Sequence, residues 1–243
     1  MQSSHLSVAA VADKRSVFVV TEHLGRSVPV GELSYANGRY GFVYTCGALH
    51  LGARTQVVPL PDLPNLTQRY HSKTLFPVFE STLARRHEGA NPGWQLDGEQ
   101  TLSELAIPTR LPTTQLLVTM PNLRGNYDGM FCCQFYVRET VDATTRDLAA
   151  GQLLQANLVQ DELGRRARVQ LTSAKGQPVD WVPEFLADEL APVWRSGLSL
   201  RIELLVDRGQ SAPRDERYLI ELSGRWPSGY TPMQLLVFSP IVI

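Results

Sequence analysis

Polar and apolar residues alternate along several segments in the second half of the chain. Within 166–172, Ala167, Val169 and Leu171 are apolar and the residues between them are polar or charged. Successive side chains of a strand point to opposite faces, so this period of two predicts strands with one buried face. The segments with strand-like character are 130–137, 152–159, 166–172, 198–206 and 217–223. They predict about six strands in this half.

The first half also opens with strand-like segments. Residues 17–20, 28–35 and 40–44 are rich in valine and aromatic residues, and Asn37-Gly38 separates the last two segments. Both residues of an Asn-Gly pair tolerate the positive φ of a type I′ turn. The pair therefore predicts a β-hairpin.

Helical patterns are fewer than strand patterns. A short helix is predicted over 75–83, and the sequence of 101–104 fits one helical turn with a capping box. The clearest helix follows Pro183, where Leu186, Leu190 and Val193 recur along one side.

These elements indicate a mainly β protein with a few short helices, of the α+β class. We expect an N-terminal small β-sheet module over 16–87 and a connector over 88–128, which is rich in Gly, Pro and Asn. The remainder, 129–243, is predicted to form a small β-barrel or β-sandwich with one packed helix. A length of 243 residues suits one large domain or two small ones.

The last 18 residues, 226–243, carry no charge. Their apolar part, 233–243, is about half of the ~20 residues that a membrane span needs, and prolines interrupt it. No membrane association is expected. We predict a terminal core strand here, with an interface strand against a partner, such as a second copy in a homodimer, as the alternative.

Overall charge points to no class of partner. The chain has 23 basic and 24 acidic residues, and 129–243 has 12 and 14. No general field therefore draws the protein to nucleic acid or to anionic membranes. Three cysteines, Cys46, Cys132 and Cys133, cannot form a disulfide framework, which favours a reducing compartment, the cytoplasm.

The sequence lacks the common catalytic motifs. Neither G-x-x-x-x-G-K-[ST], G-x-G-x-x-G nor G-x-S-x-G occurs, and the five histidines all lie in the first 87 residues without metal-ligand spacing. Adjacent Cys132 and Cys133 lie in an apolar strand, where thiols are usually inert. We therefore expect no catalytic residues, no metal, no cofactor and no enzymatic activity.

Basic and aromatic residues of the second half offer one candidate surface. Arg165, Arg166 and Arg168 are clustered, and Arg166 and Arg168 share one face of a predicted strand. They form either a solvated strand face or a small basic stripe for one nucleic-acid end. Trp181, at a strand-to-helix corner, serves either core packing or base stacking.

The first half resembles the N-terminal subdomain of the HipA toxin kinases. The matching residues, within 16–87, are Val30-Gly-Glu-Leu33, the hairpin that ends in Phe42-Val-Tyr44, and Phe76-Pro-Val-Phe-Glu80. In that family the subdomain sits on a kinase, and some systems encode it as a separate small protein that restrains the kinase. No kinase domain follows here, so the resemblance implies a protein-interaction role and not phosphoryl transfer.

The second half resembles a HIRAN domain, a small β-barrel of DNA-processing proteins. The matching segments are 135–138, 153–159, 168–176 and 179–187. In that family the barrel groove holds a 3′ end of single-stranded DNA, and Arg138 and Trp181-Val-Pro183 match by position. The chain departs from the pattern in two places, with Gln160-Asp-Glu-Leu-Gly164 in place of the Asn/Asp loop and Glu184 in place of a basic residue.

The resemblances imply a non-catalytic bacterial accessory protein of a toxin–antitoxin or DNA-defence system. It would dock on a protein partner, such as a HipA-like kinase, and carry a HIRAN-like nucleic-acid-binding module. The alternative is a binder of single-stranded DNA or 3′ ends in repair or phage defence. The expected nucleic-acid-binding residues are Arg138, Arg166, Arg168 and Trp181.

Overall fold

The fold was obtained as a computed structural model. It describes residues 16–23, 26–52, 59–87, 96–113, 117–124, 129–137, 148–160, 167–210, 212 and 216–241. Within these ranges the chain forms three antiparallel sheets and four α-helices. The mainly β prediction is therefore confirmed.

The first sheet has five strands. They are β1 (Ser16–His23), β2 (Arg26–Ala36), β3 (Arg39–Tyr44), β4 (Tyr70–Ser72) and β5 (Leu117–Pro121), in the spatial order β4-β3-β2-β1-β5. The predicted hairpin joins β2 and β3, where Asn37 and Gly38 adopt φ of 52° and 71°. Strand β5 comes from the range expected to be a connector, and it pairs with β1.

Three helices accompany this sheet: α1 (Cys46–Gly52), α2 (Pro77–Arg86) and α3 (Gly98–Ala106). Helix α2 matches the predicted short helix, with Pro77 in its first turn. Helix α3 begins earlier than expected, because the capping box is formed by Asp97 and Gln100 rather than within 101–104. An Asp carboxylate and a Gln amide satisfy the first orphan backbone groups as well as a Thr–Glu pair does.

The second half contains six strands and one helix among its described residues. They are β6 (Met130–Val137), β7 (Gln155–Gln160), β8 (Ala167–Thr172), β9 (Pro178–Trp181), α4 (Glu184–Arg195), β10 (Leu200–Asp207) and β11 (Tyr218–Arg225). One sheet has the order β10-β11-β6 and the other β7-β8-β9. The predicted helix is confirmed, because Leu186, Leu190 and Val193 are fully buried. No helix in the described ranges is long and apolar enough to cross a membrane.

Backbone hydrogen bonds connect the two sheets of the second half through the residues before β7. The Leu154 N–H donates to the Ile202 carbonyl (2.9 Å), and the Leu204 N–H donates to the Gln152 carbonyl (2.9 Å). A path of neighbouring strands thus runs from β9 through β8, β7, β10 and β11 to β6. Strands β6 and β9 touch but belong to different sheets, so the described strands do not close into a barrel.

Strand β1 supplies side chains to two cores. Val17 and Val19 are buried with Phe79 and Leu102 of the helices. Phe18 and Val20 point to the other face and are buried in a cluster with Phe135, Ile220 and other residues of the second half. The first sheet is therefore covered by helices on one face and by the second half of the chain on the other.

The C-terminal segment is not the core strand that its apolar sequence predicts. Met233 adopts a φ of 55°, and a short 3₁₀ helix spans Leu236–Phe238. Only an isolated bridge, Thr45 to Pro240, pairs this segment with the end of β3. Met233 and Phe238 are buried, whereas Leu235 and Leu236 are 67% and 73% exposed. The strand prediction is wrong because Pro232 and Pro240 and the left-handed Met233 break the extended pattern.

Candidate nucleic-acid interface

The four residues expected to bind nucleic acid fall into two groups. Arg138 and Arg166 lie outside the described residues. Arg168 lies on β8, where it is exposed, and Trp181 is the half-buried last residue of β9. The structure therefore brings two of the predicted residues onto adjacent strands.

Arg168 and Trp181 are in direct contact. The Arg168 guanidinium carbon lies 4.2 Å from the centroid of the Trp181 ring. A cation over the face of an indole is attracted by the quadrupole of the ring, by about 0.5–1 kcal/mol at an exposed site. The contact holds the guanidinium on the ring. The guanidinium is planar, and its five N–H donors point outward from its edge.

Alternation along β8 explains why Arg168 faces outward. Val169 and Leu171 are fully buried and point into the core of the second half. Arg168 and Gln170, between and beside them, point the other way. Gln170 is directly opposite Trp181 in the β8–β9 ladder, and Arg168 is the next outward residue along β8. We call the outward side of β7, β8 and β9, defined by Asn157, Val159, Arg168, Gln170 and Trp181, the β7–β9 face.

The end of β9 is a fixed corner. The Val182 N–H donates to the Val169 carbonyl (2.8 Å), and Val182 is buried. Pro183 is the N-cap residue of α4, and Glu184 is the first residue of the helix. The corner holds Trp181 in place, and the Glu184 carboxylate, three residues along the chain, makes its surroundings less favourable for a phosphate.

A second cationic cluster, which no sequence motif indicates, surrounds Tyr136 of β6. The guanidinium carbons of Arg86 and Arg208 lie 5.8 and 5.1 Å from the Tyr136 ring centroid. Carboxylates neutralise it, since Glu104 and Glu216 lie 3.7 Å from Arg86 and Arg208. Burial lowers the pKa of Arg86 and raises that of Tyr136. The cluster joins helices of the first half to β6 and to the residue that follows β10, and its residues are too far apart in sequence to form a motif.

Glu189 of α4 is the centre of a buried polar cluster. It is 9% exposed, and one of its oxygens, Oε2, accepts hydrogen bonds from the Met233 backbone N–H (2.9 Å) and the Tyr230 hydroxyl (3.2 Å). Arg124 donates to the Met233 carbonyl from Nε (3.1 Å) and Nη2 (2.6 Å). Burial raises the pKa of Glu189, and the Met233 and Tyr230 hydrogen bonds oppose the shift. These contacts fix the C-terminal segment on α4.

Large apolar side chains are exposed beside this segment. Leu235 and Leu236 lie at the start of the 3₁₀ helix, against which α1 packs, and α1 carries Leu49, which is 48% exposed. We call Leu49, Leu235 and Leu236 the leucine patch. The sequence predicted a core strand here, with an interface strand against a partner as the alternative, and the exposure of Leu235 and Leu236 does not fit the core strand.

The cysteines and other metal-ligating side chains are dispersed. Cys46, Cys132 and Cys133 form no disulfide bond. Cys133 is buried, where desolvation raises its pKa well above the ordinary value, and Cys132 lies on the other face of β6. Among the described residues, no three His, Cys, Asp or Glu side chains are grouped as a metal site requires.

Comparisons with protein families, with curated proteins and with solved structures found no match to this chain.

Proposed function

We propose that the protein is a non-catalytic accessory protein that binds single-stranded DNA on its β7–β9 face. One observation carries this proposal, the exposed guanidinium of Arg168 lying on the half-buried ring of Trp181. Single-strand binding proteins combine aromatic or guanidinium planes, on which bases stack, with cations that contact the backbone. The Arg168–Trp181 pair offers both on one rigid corner.

Local geometry, rather than net charge, supports the proposal. With a formal net charge of −1, the chain has no general attraction for polyanions. Affinity would therefore depend on a few contacts, and salt would weaken it modestly. A surface of this kind suits a short single strand or a DNA end better than a long duplex.

The described strands form an open path from β9 to β6, and the HIRAN-like barrel expected from the sequence belongs to the proposal. Arg138 and Arg166 are the further cations that the sequence assigns to this site. The proposal includes the HIRAN-like and HipA-like assignments and a cytoplasmic location. It also includes the boundaries 16–87, 88–128 and 129–243.

Substitution of the stacked pair is expected to weaken DNA binding. We expect Arg168→Ala and Trp181→Leu each to raise the Kd for a fluorescein-labelled dT15 oligonucleotide by about 5- to 100-fold, because base stacking contributes about 1–3 kcal/mol per base. Leucine keeps an apolar side chain at the corner. The measurement is fluorescence anisotropy at low salt, with oligonucleotides that are single-stranded, blunt-ended duplex or 3′-recessed.

Arg201→Ala is the matched control. Arg201 is 63% exposed on β10, which belongs to a different sheet from β7, β8 and β9, and it pairs with Glu203, so its removal should leave the Kd unchanged. Thermal melting of each variant shows whether the fold is retained. Equal Kd values for the wild type, Arg168→Ala and Trp181→Leu, or no binding by the wild type, would contradict the proposal.

A second candidate function is docking on a protein partner, which the leucine patch favours. Large exposed aliphatic side chains on neighbouring elements are typical of interaction surfaces. The partner implied by the resemblance of the first half is a HipA-like kinase, and the accessory protein would then bring that kinase to DNA.

Replacing Leu235 and Leu236 together by serine tests this docking. We expect the Kd for a HipA-like kinase to rise about tenfold or more in isothermal titration calorimetry, since central interface residues often contribute about 2 kcal/mol or more. Leu153→Ser, at a position that is 52% exposed elsewhere, is the control. A wild-type protein that does not bind the kinase, or a double variant that binds equally well, would contradict the docking role.

A further inference from the structure

One row of side chains crosses all three strands of the β7–β9 face. Asn157 of β7 is paired with Gln170 of β8, and Gln170 is paired with Trp181 of β9. Their outward direction follows from their neighbours, because Val169 and Leu171 are fully buried on the other side. Gln170 is half-buried and Asn157 is exposed.

The spacing of the sheet puts the Gln170 amide beside the stacked pair. Directly opposed residues of antiparallel strands have Cβ atoms about 4.5–5.5 Å apart. Gln170 is therefore the immediate neighbour of Trp181, and it is also two residues from Arg168 on the same face of β8. Asn157 lies one strand further away, and its amide nitrogen donates to the Thr172 hydroxyl (3.5 Å).

A base on this platform would have one edge directed at Gln170. The Arg168 guanidinium covers the Trp181 ring, so the base stacks on the guanidinium plane, which bases use as they use aromatic rings. Trp181 and Gln170 are side by side, so the polar edge of the base and the amide can meet.

We propose that Gln170 reads this base and selects adenine. The inference rests on the proposed single-strand binding and specifies its ligand. A glutamine amide has one donor and one acceptor side by side, and its favoured partner in protein–DNA complexes is adenine, through N6 and N7. A purine also covers more of the guanidinium–indole stack than a pyrimidine does.

The test compares two oligonucleotides that differ by one base. Binding of labelled dT15 and of dT15 with one central dA is measured by fluorescence anisotropy for the wild type, Gln170→Met and Asn157→Leu. Methionine keeps the length of the side chain and removes the amide. A single dA fixes the register on an otherwise uniform strand, so the ratio of the two Kd values reports the reading of one base.

We expect the wild type to bind the dA-containing strand about 5- to 100-fold more tightly than dT15, a range typical of one bidentate amide–base pair. Gln170→Met should abolish this ratio, and Asn157→Leu should keep it. If wild-type binding depends on Arg168 but shows no preference for the dA-containing strand, base selection by Gln170 is overturned and single-strand binding is left intact. A preference that survives in Gln170→Met would also overturn it. A wild type that binds neither strand overturns both proposals.

Discussion

Replacing Phe18 with alanine is expected to lower the free energy of unfolding by about 3–5 kcal/mol, which is the usual cost of truncating a buried phenylalanine. The Phe18 ring has no exposed surface and meets Phe238 edge-to-face, with ring centroids 5.1 Å apart. The Arg124 guanidinium lies 5.4 Å from the Phe18 ring centroid. The substitution therefore opens a cavity where β1 meets the C-terminal segment.

The same variant tests whether the two halves unfold together. Three of the four tryptophans, Trp181, Trp194 and Trp226, lie in the second half, so tryptophan fluorescence chiefly follows that half. Phe18 belongs to the first half in sequence and to the core of the second in space. In urea titrations we expect the fluorescence and far-UV circular dichroism transitions to shift together. Leu153→Ala, at an exposed position, should change neither. A fluorescence midpoint unaffected by Phe18→Ala would contradict the shared core.

Replacing Glu189 with alanine is expected to lower the free energy of unfolding by about 2–4 kcal/mol. The variant leaves the buried Met233 N–H without its acceptor, and an unsatisfied buried group costs about 1–3 kcal/mol. The Tyr230 hydroxyl loses the carboxylate and keeps the Glu189 backbone carbonyl (3.2 Å) as its acceptor. The substitution also removes the contact that stabilises Met233 in its left-handed conformation, which is costly for a residue with a side chain. Urea titration at pH 7 measures the loss.

The matched variant Glu189→Gln keeps an acceptor oxygen and removes the charge. Burial raises the pKa of Glu189 above its ordinary value of 4.5, and neighbouring Asp188 adds to the shift while Arg124 opposes it. The folded protein thus holds this proton more tightly than the unfolded chain does. Its contribution to stability is complete below pH 4.5 and is lost as the pH rises through the raised pKa.

We therefore expect Glu189→Gln to be at least as stable as the wild type at pH 7, with a smaller loss of stability as the pH rises from about 4.5 towards neutrality. Urea titrations at several pH values measure this difference. If Glu189→Gln is as unstable as Glu189→Ala, the negative charge of Glu189 stabilises the C-terminal segment, and its hydrogen-bond acceptor does not. A wild type whose stability rises through this pH range relative to the Gln variant would contradict the direction of the shift.

Local patterns predicted the strands of the second half well. Alternation at Val169 and Leu171 predicted β8, and the Asn37-Gly38 pair located a hairpin, because period and turn chemistry are properties of short segments. Pro183 and the spacing of Leu186, Leu190 and Val193 likewise predicted α4. Each of these features depends only on residues that are close in sequence, so it can be predicted from the sequence alone.

Long-range pairing could not be predicted in this way. Strand β5 is short and lies in a Gly- and Pro-rich range, and its strand character depends on pairing with β1, about 100 residues earlier. The apolar C-terminal segment misled the strand prediction because its conformation is set by Glu189 and Arg124, which are distant in sequence. Contact between Arg168 and Trp181 likewise depends on the β8–β9 register, which no motif specifies.

The dependence of DNA affinity on salt tests the account most directly. The observed association constant of the wild type for dT15 is measured by anisotropy across a range of NaCl concentrations and compared with those of Arg168→Ala and Arg201→Ala. Each phosphate contact with a single strand contributes about −0.7 to the slope of log K against log salt concentration. We expect Arg168→Ala to bind more weakly, with a slope shallower by about 0.7, and Arg201→Ala to match the wild type. Identical affinities and slopes for the wild type and Arg168→Ala would contradict a DNA-binding β7–β9 face.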